Sequence, residues 1–121
     1  MEIRKVNLSD KFSKIIEHWD PHIVGDLNGQ QVKLAKLKGE IVAHKHDNED
    51  ELFLVLKGDL KIELGDQVIS LKPGEFTIIP KGVIHKPIAE EEVEVLLFEP
   101  ASTLHTGDSY SPLTKTVLKR L

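Results

Sequence analysis

Turn-forming residues punctuate the middle of this chain too often for long helices to survive there. Asn28-Gly29, Gly39, Gly58-Asp59, Gly65-Asp66, Pro73-Gly74, Pro80, Gly82 and Pro87 cut it into short runs. Such runs suit strands better than helices. Asn28-Gly29 is a two-residue hairpin turn, and it joins a strand at 22–27 to one at Gln31–Lys38. Further strands are expected at Glu40–His46, Leu52–Leu56, Leu60–Leu64, Val68–Leu71 and Phe76–Ile79, around Ile84-His85, and at Val93–Glu99. Leu60, Ile62 and Leu64 alternate with Lys61 and Glu63, the pattern of a strand with one buried face. Leu52–Leu56 is apolar on both faces, so one face fills an interior and the other must meet a second layer or another subunit. Many short strands between regular turns indicate an antiparallel sandwich or barrel.

Only the ends depart from this pattern. Ser9–Ile16 reads as a short N-terminal helix capped by Ser9, with Phe12, Ile15 and Ile16 on its apolar face. Asp20-Pro21 ends any helix there. Residues 101–121 read as a loop with room for a short helix from Lys115. Glu90, Glu91, Glu92 and Glu94 read as a solvated turn and strand edge.

The chain has 121 residues, which fits a single domain over 1–121. Its formal net charge of −4 gives no electrostatic reason to expect nucleic acid or an anionic membrane as partner. It has no cysteine, which excludes disulfides, thiolate metal sites and a cysteine nucleophile, and agrees with a cytoplasmic location. Neither a signal-peptide core nor an apolar run of membrane-spanning length is present.

The chemistry is concentrated in the histidines. His44-Lys45-His46 puts two imidazoles on one face of an extended segment, with their roots about 7 Å apart and Lys45 turned away. Glu51 opens the next strand after a polar turn, in phase with Phe53 and Val55, which would floor the cavity beneath it. His85 arrives later between turns. Three imidazoles and a carboxylate suit one divalent transition-metal ion such as Fe, Mn, Ni, Cu or Zn. They would leave coordination positions open, as a catalytic metal requires. Glu49 and Asp50 are rival carboxylates, but both belong to the turn. His18 and His22 are separated by Asp20-Pro21, which spoils a helical pair, and both read as structural. His105 could fold over the mouth of a barrel, although a surface loop is the ordinary reading.

These residues fall on a pattern that resembles the cupin superfamily. Gly39, His44, His46, Glu51 and Gly58 match its first motif, with Gly39 one residue closer to His44 than usual. Gly74, Pro80, Gly82 and His85 match the second, with Ala89 where an Asn is customary. The likeness covers about 24–99. It implies an all-β double-stranded β-helix (jelly-roll) barrel, a metal ion in its mouth held by His44, His46, Glu51 and His85, and a homodimer. It also implies a small-molecule ligand. The activity expected is that of a metal-dependent isomerase, lyase or dioxygenase acting on an oxygen-rich molecule. The alternative is a non-catalytic binding or sensor module.

Overall fold

The structure is a computed structural model describing residues 2–109, 111, 113–114 and 117–121. Among the described residues, one short helix, α1 (Leu8–Phe12), precedes eight strands. They are β1 (His22–Leu27), β2 (Gln30–Glu40), β3 (Glu51–Lys57), β4 (Leu60–Leu64), β5 (Gln67–Leu71), β6 (Phe76–Ile79), β7 (Lys86–Pro100) and β8 (Lys119–Arg120). The strands form the all-β fold that the turn pattern calls for, as the jelly roll that the cupin resemblance implies. Strand β7 is its spine. It pairs antiparallel with β2 along most of its length, with β3 near its end and with β4 near its start. Asn28 and Gly29 both take positive φ (51° and 80°), the backbone of a tight hairpin turn between β1 and β2.

Alternate residues of these strands point inward and form one core. Ala35, Val55, Leu60, Ile62, Val93 and Val95 are wholly buried in it. Each large aliphatic side chain so removed from water contributes roughly 1.5–3 kcal/mol. A second, smaller cluster lies on the outer face. There Phe12 and Ile15 cover Leu34, flanked by Leu56 of β3 and Leu96 of β7. This is part of the second layer expected over Leu52–Leu56.

Five sequence expectations need correction. No strand forms around Ile84-His85, where His85 makes an isolated bridge and β7 begins at Lys86. Helix α1 is one short turn, capped by the Asn7 side chain rather than by Ser9. The chain then leaves helical geometry, so Ile15 still reaches the core while Ile16 is 87% exposed. Glu40–His46 is not a strand. Gly39 (φ 83°) marks a break in the β2–β7 register, the ladder ends at Glu40, and only an isolated bridge from His44 to His85 continues it. Pro87 lies inside β7 rather than in a turn, close to the strand's first residue, where a missing N–H is tolerated. The end of the chain is a strand, with Lys119–Arg120 parallel to β1 and Arg120 bonded to Asp26 at 2.7 Å. The expected helix start at Lys115 lies outside the described residues.

The acidic run is solvated as expected, but within a strand. Leu37 pairs with Val93 and Gly39 with Ala89, so four steps on β7 oppose two on β2. The surplus Glu90–Glu92 bulges outward and is exposed. No described helix is long and apolar enough to cross a membrane.

Candidate metal centre

His44 and His85 are held by their own backbones. The His44 N–H donates to the His85 carbonyl at 3.0 Å, and the His85 N–H donates back at 2.8 Å. Each ring then anchors Nδ1 on a carbonyl two residues earlier, His44 on Val42 (2.7 Å) and His85 on Val83 (3.0 Å). This directs each Nε2 inward, a common way of orienting ligand histidines. Glu51, the first residue of β3, is fixed by its pairing with Ile79 of β6.

The four side chains singled out in the sequence come together. His44, His46, Glu51 and His85 are all buried, and one potential ligand atom from each lies within 4.8 Å of the others. Glu51 Oε1 is 3.2 Å from His85 Nε2 and 3.4 Å from His46 Nε2. His46 Nε2 nevertheless has no hydrogen-bond partner, although the residue is only 4% exposed. An orphaned buried ring nitrogen facing a carboxylate and two other imidazoles is costly without a ligand. The donor set is therefore compatible with a metal ion.

Burial favours the neutral imidazole of His44 and lowers its pKa from 6.5 to about 4. Burial also works to raise Glu51, but its contacts with Glu99, His46 and His85 outweigh this and hold it well below the usual carboxylate range. Glu99 goes the other way. Burial first, and then the neighbouring charge of Glu51, raise it well above that range, with Lys33 only partly opposing. Lys33 and Glu99, each 1% exposed, form an ion pair of 2.9 Å directly behind Glu51.

The rival carboxylates are occupied elsewhere. Asp50 accepts the Lys81 N–H at 2.8 Å, and Glu49 accepts the Ser102 hydroxyl at 2.9 Å. Lys45 turns away as expected and pairs with Asp47. His18 pairs with Glu92, and the buried His22 ring bonds the Asp20 carbonyl, so neither joins the group. His105 does reach the mouth, where it lines a cavity together with His44 and Glu51. Its segment is strapped to the histidine loop. The Asp108 N–H donates to the Lys45 carbonyl, the Lys45 N–H donates to the Asp108 carboxylate, and the Ser109 hydroxyl donates to the Ala43 carbonyl. Gly107 is required there, since a Cβ would collide with the Lys45 carbonyl oxygen.

Three residues near the site were not foreseen. Lys33 and Glu99 stand on the inward phase of β2 and β7, and a charge in such a phase is a readable signal of a buried polar group. Trp19 gave no periodic signal. It holds a positive φ of 58°, its backbone N–H bonds the Lys36 carbonyl, and its indole N–H bonds the Lys38 carbonyl at 2.8 Å. These bonds set the ring against the cavity despite the strained backbone.

A family model for the cupin domain matches residues 30–99. The crystal structure of a cupin-2 domain protein from Shewanella frigidimarina is 46% identical, with a TM-score of 0.77 over 78% of this chain and 93% of that one. Protein NMB1881 of Neisseria meningitidis is 29% identical, with a TM-score of 0.74 over 81% of this chain and all of that one. The Bacillus subtilis protein YdbB is 39% identical over 64 residues, which are 52% of this chain and 57% of YdbB. The chain thus spans little more than half the length of the curated relatives it matches. The matched span carries His44, His46, Glu51 and His85, and the chain belongs to the cupin domain family.

Proposed function

We propose that His44, His46, Glu51 and His85 hold one divalent transition-metal ion, drawn from Fe, Mn, Ni, Cu and Zn, and that the protein uses it to transform a small molecule bound through oxygen atoms. The observation that carries this reading is the unpartnered, buried Nε2 of His46 among three other inward-facing donors. A bound ion would supply Lewis-acid chemistry, polarising a carbonyl or stabilising developing negative charge, which serves isomerase, lyase and dioxygenase reactions alike. The chain's own contribution is to hold the His44 imidazole neutral, to aim His44 and His85 by their Nδ1 bonds, to keep Glu51 ionised, and to exclude water with Phe53 and the cavity walls. Protein purified without chelator should contain near one transition ion per chain by elemental analysis. Less than a tenth of that, after Mn, Fe, Ni and Zn have each been offered, would sink the reading.

A non-catalytic binding or sensor module is favoured by one observation. Beyond the four residues, His105 is the one titratable side chain among the described residues lining the cavity, so a general acid or base is scarce. Retention of a ligand without turnover by metal-loaded protein would select that reading. We also propose a homodimer. Phe76 and Ile78 on β6 are 60% and 53% exposed, and among the described residues β6 has β3 as its single neighbour. A monomer mass by light scattering at micromolar concentration would refute it.

A further inference from the structure

The cavity beside the candidate centre has an unusual lining for a molecule rich in hydroxyl groups. Nine of its twelve lining residues are apolar, among them Trp19, Ala35, Leu37, Phe53, Val95 and Leu97. The polar side chains on it are His44, Glu51 and, at the mouth, His105. The Trp19 indole N–H, which could have served a ligand, is committed to the Lys38 carbonyl. Likewise, His44 Nδ1 is committed to Val42. Along the wall the backbone is engaged in ladders, since Ala35, Leu37, Phe53, Val95 and Leu97 all lie in paired positions of β2, β3 and β7. A ligand hydroxyl placed against this wall would lose its water partners and gain none, which is strongly unfavourable. A methyl group in the same place would gain contacts and leave water. The room is small, about 30 Å³ for the centres of water-sized atoms, or roughly two waters. That limits the body of a ligand to a few atoms unless the mouth opens.

The geometry points to a substrate class for the site: a small molecule with a hydrocarbon body and with its polar atoms confined to the end that faces His44 and Glu51. This inference rests on the metal-site reading and narrows its oxygen-rich ligand. Oxygens belong at the head only, and sugars and polyols are rejected by the wall. Specificity of this kind arises because a hydroxyl without a partner is penalised, not because the apolar body is bound with special strength.

The test uses Co(II)-loaded protein and two probes of equal size with the same 2-hydroxycarboxylate head. 2-Hydroxybutanoate ends in a methyl group where glycerate carries a hydroxyl. Calorimetric titration should show 2-hydroxybutanoate binding about tenfold or more tightly than glycerate. Ala35→Leu fills the cavity and should abolish that preference while leaving Co(II) stoichiometry unchanged. Ala35→Val, a smaller intrusion, should reduce it, and serves if the larger side chain prevents folding. Equal affinity for the two probes, or binding of neither, in protein that takes up one Co(II) per chain overturns the inference alone. Failure to take up Co(II) at all overturns the metal reading and the inference with it.

Discussion

Lys33 and Glu99 meet across β2 and β7 at 2.9 Å, whereas His44, His46, Glu51 and His85 converge at the mouth with a ring nitrogen left unbonded. Both groups are buried in the same barrel and touch through Glu51 and Glu99. The first sets the Lys33 ammonium against one carboxyl oxygen of Glu99 and leaves the other oxygen without a hydrogen bond. The second sets three imidazoles around one carboxylate and leaves His46 Nε2 without a hydrogen bond. Ion pairs buried in this way contribute little net stability, but breaking one is costly. Donor clusters with a deficit of partners are kept where something else binds. The contrast is between a pair fixed by strand register and a cluster of four donors compatible with a metal ion.

The largest expected effect comes from breaking the Lys33–Glu99 pair. Lys33→Met leaves two carboxyl groups buried together without their cation. It should cost about 3–5 kcal/mol in urea unfolding of the metal-free protein. The double change Lys33→Met with Glu99→Leu removes both charges and should recover most of that loss. If Lys33→Met alone were neutral, the pair would not be the structural group described here, and Glu51 would need another explanation for its position.

The comparison also shows what can be read from sequence. His44, His46, Glu51 and His85 were legible because their spacing repeats a motif, and the turn residues that deliver them have a fixed backbone chemistry. Lys33 and Glu99 were not read as a pair. They are far apart in the chain, and only the register of β2 against β7 brings them together. The irregular path of 41–50 is hidden because Ile41 and Val42 favour a strand and His44 and His46 would share one strand face. Its departure depends on the break at Gly39 and on the strap from Asp108 and Ser109, which are tertiary facts. Trp19 is a third case, since its role follows from a strained φ and two carbonyl contacts that no periodicity encodes.

A second, somewhat smaller effect concerns protons at the functional group. In the metal-free fold the pKa of His44 is lowered by burial to about 4, against an ordinary 6.5. The unfolded chain therefore takes up a proton at this residue as pH falls through about 6.5, while the folded chain does not until about 4. Stability from this source is present in full above 6.5, is lost progressively down to about 4, and changes no further below that. The total is roughly 3 kcal/mol. Urea unfolding of metal-free protein at pH 7, 5.5 and 4.5 should show the decline. Because Glu51 and Glu99 also titrate, His44→Gln is the control, and it should remove most of the slope between pH 6.5 and 4.5. An unchanged slope would mean that His44 is not the group being protonated.

The smallest expected effect is the most discriminating for the site itself. Glu49, Asp50 and Glu51 follow one another, and each carries a carboxylate close behind His46. Glu51 is fixed by β3, shares its inward phase with Phe53 and Val55, and lies within 3.4 Å of two imidazoles. Asp50 instead accepts the backbone N–H of Lys81, and Glu49 accepts the Ser102 hydroxyl, both at the surface. An Asn at 50 retains an oxygen acceptor for Lys81, so Asp50→Asn should change stability by no more than about 1 kcal/mol. Glu49→Gln keeps its acceptor in the same way. Neither change alters a donor of the buried group, so metal affinity should stay within about threefold of wild type, a difference under 1 kcal/mol. Glu51→Gln removes the only negative charge among the four side chains and should weaken binding by well over the tenfold to hundredfold typical of residues that merely support a ligand. Metal titration of the three single variants decides the matter. Wild-type affinity in Glu51→Gln, with loss in Asp50→Asn or Glu49→Gln, would move the carboxylate ligand into the turn. That result would require the 47–50 segment to rearrange when metal binds, because its present hydrogen bonds direct both rival carboxylates away from the imidazoles.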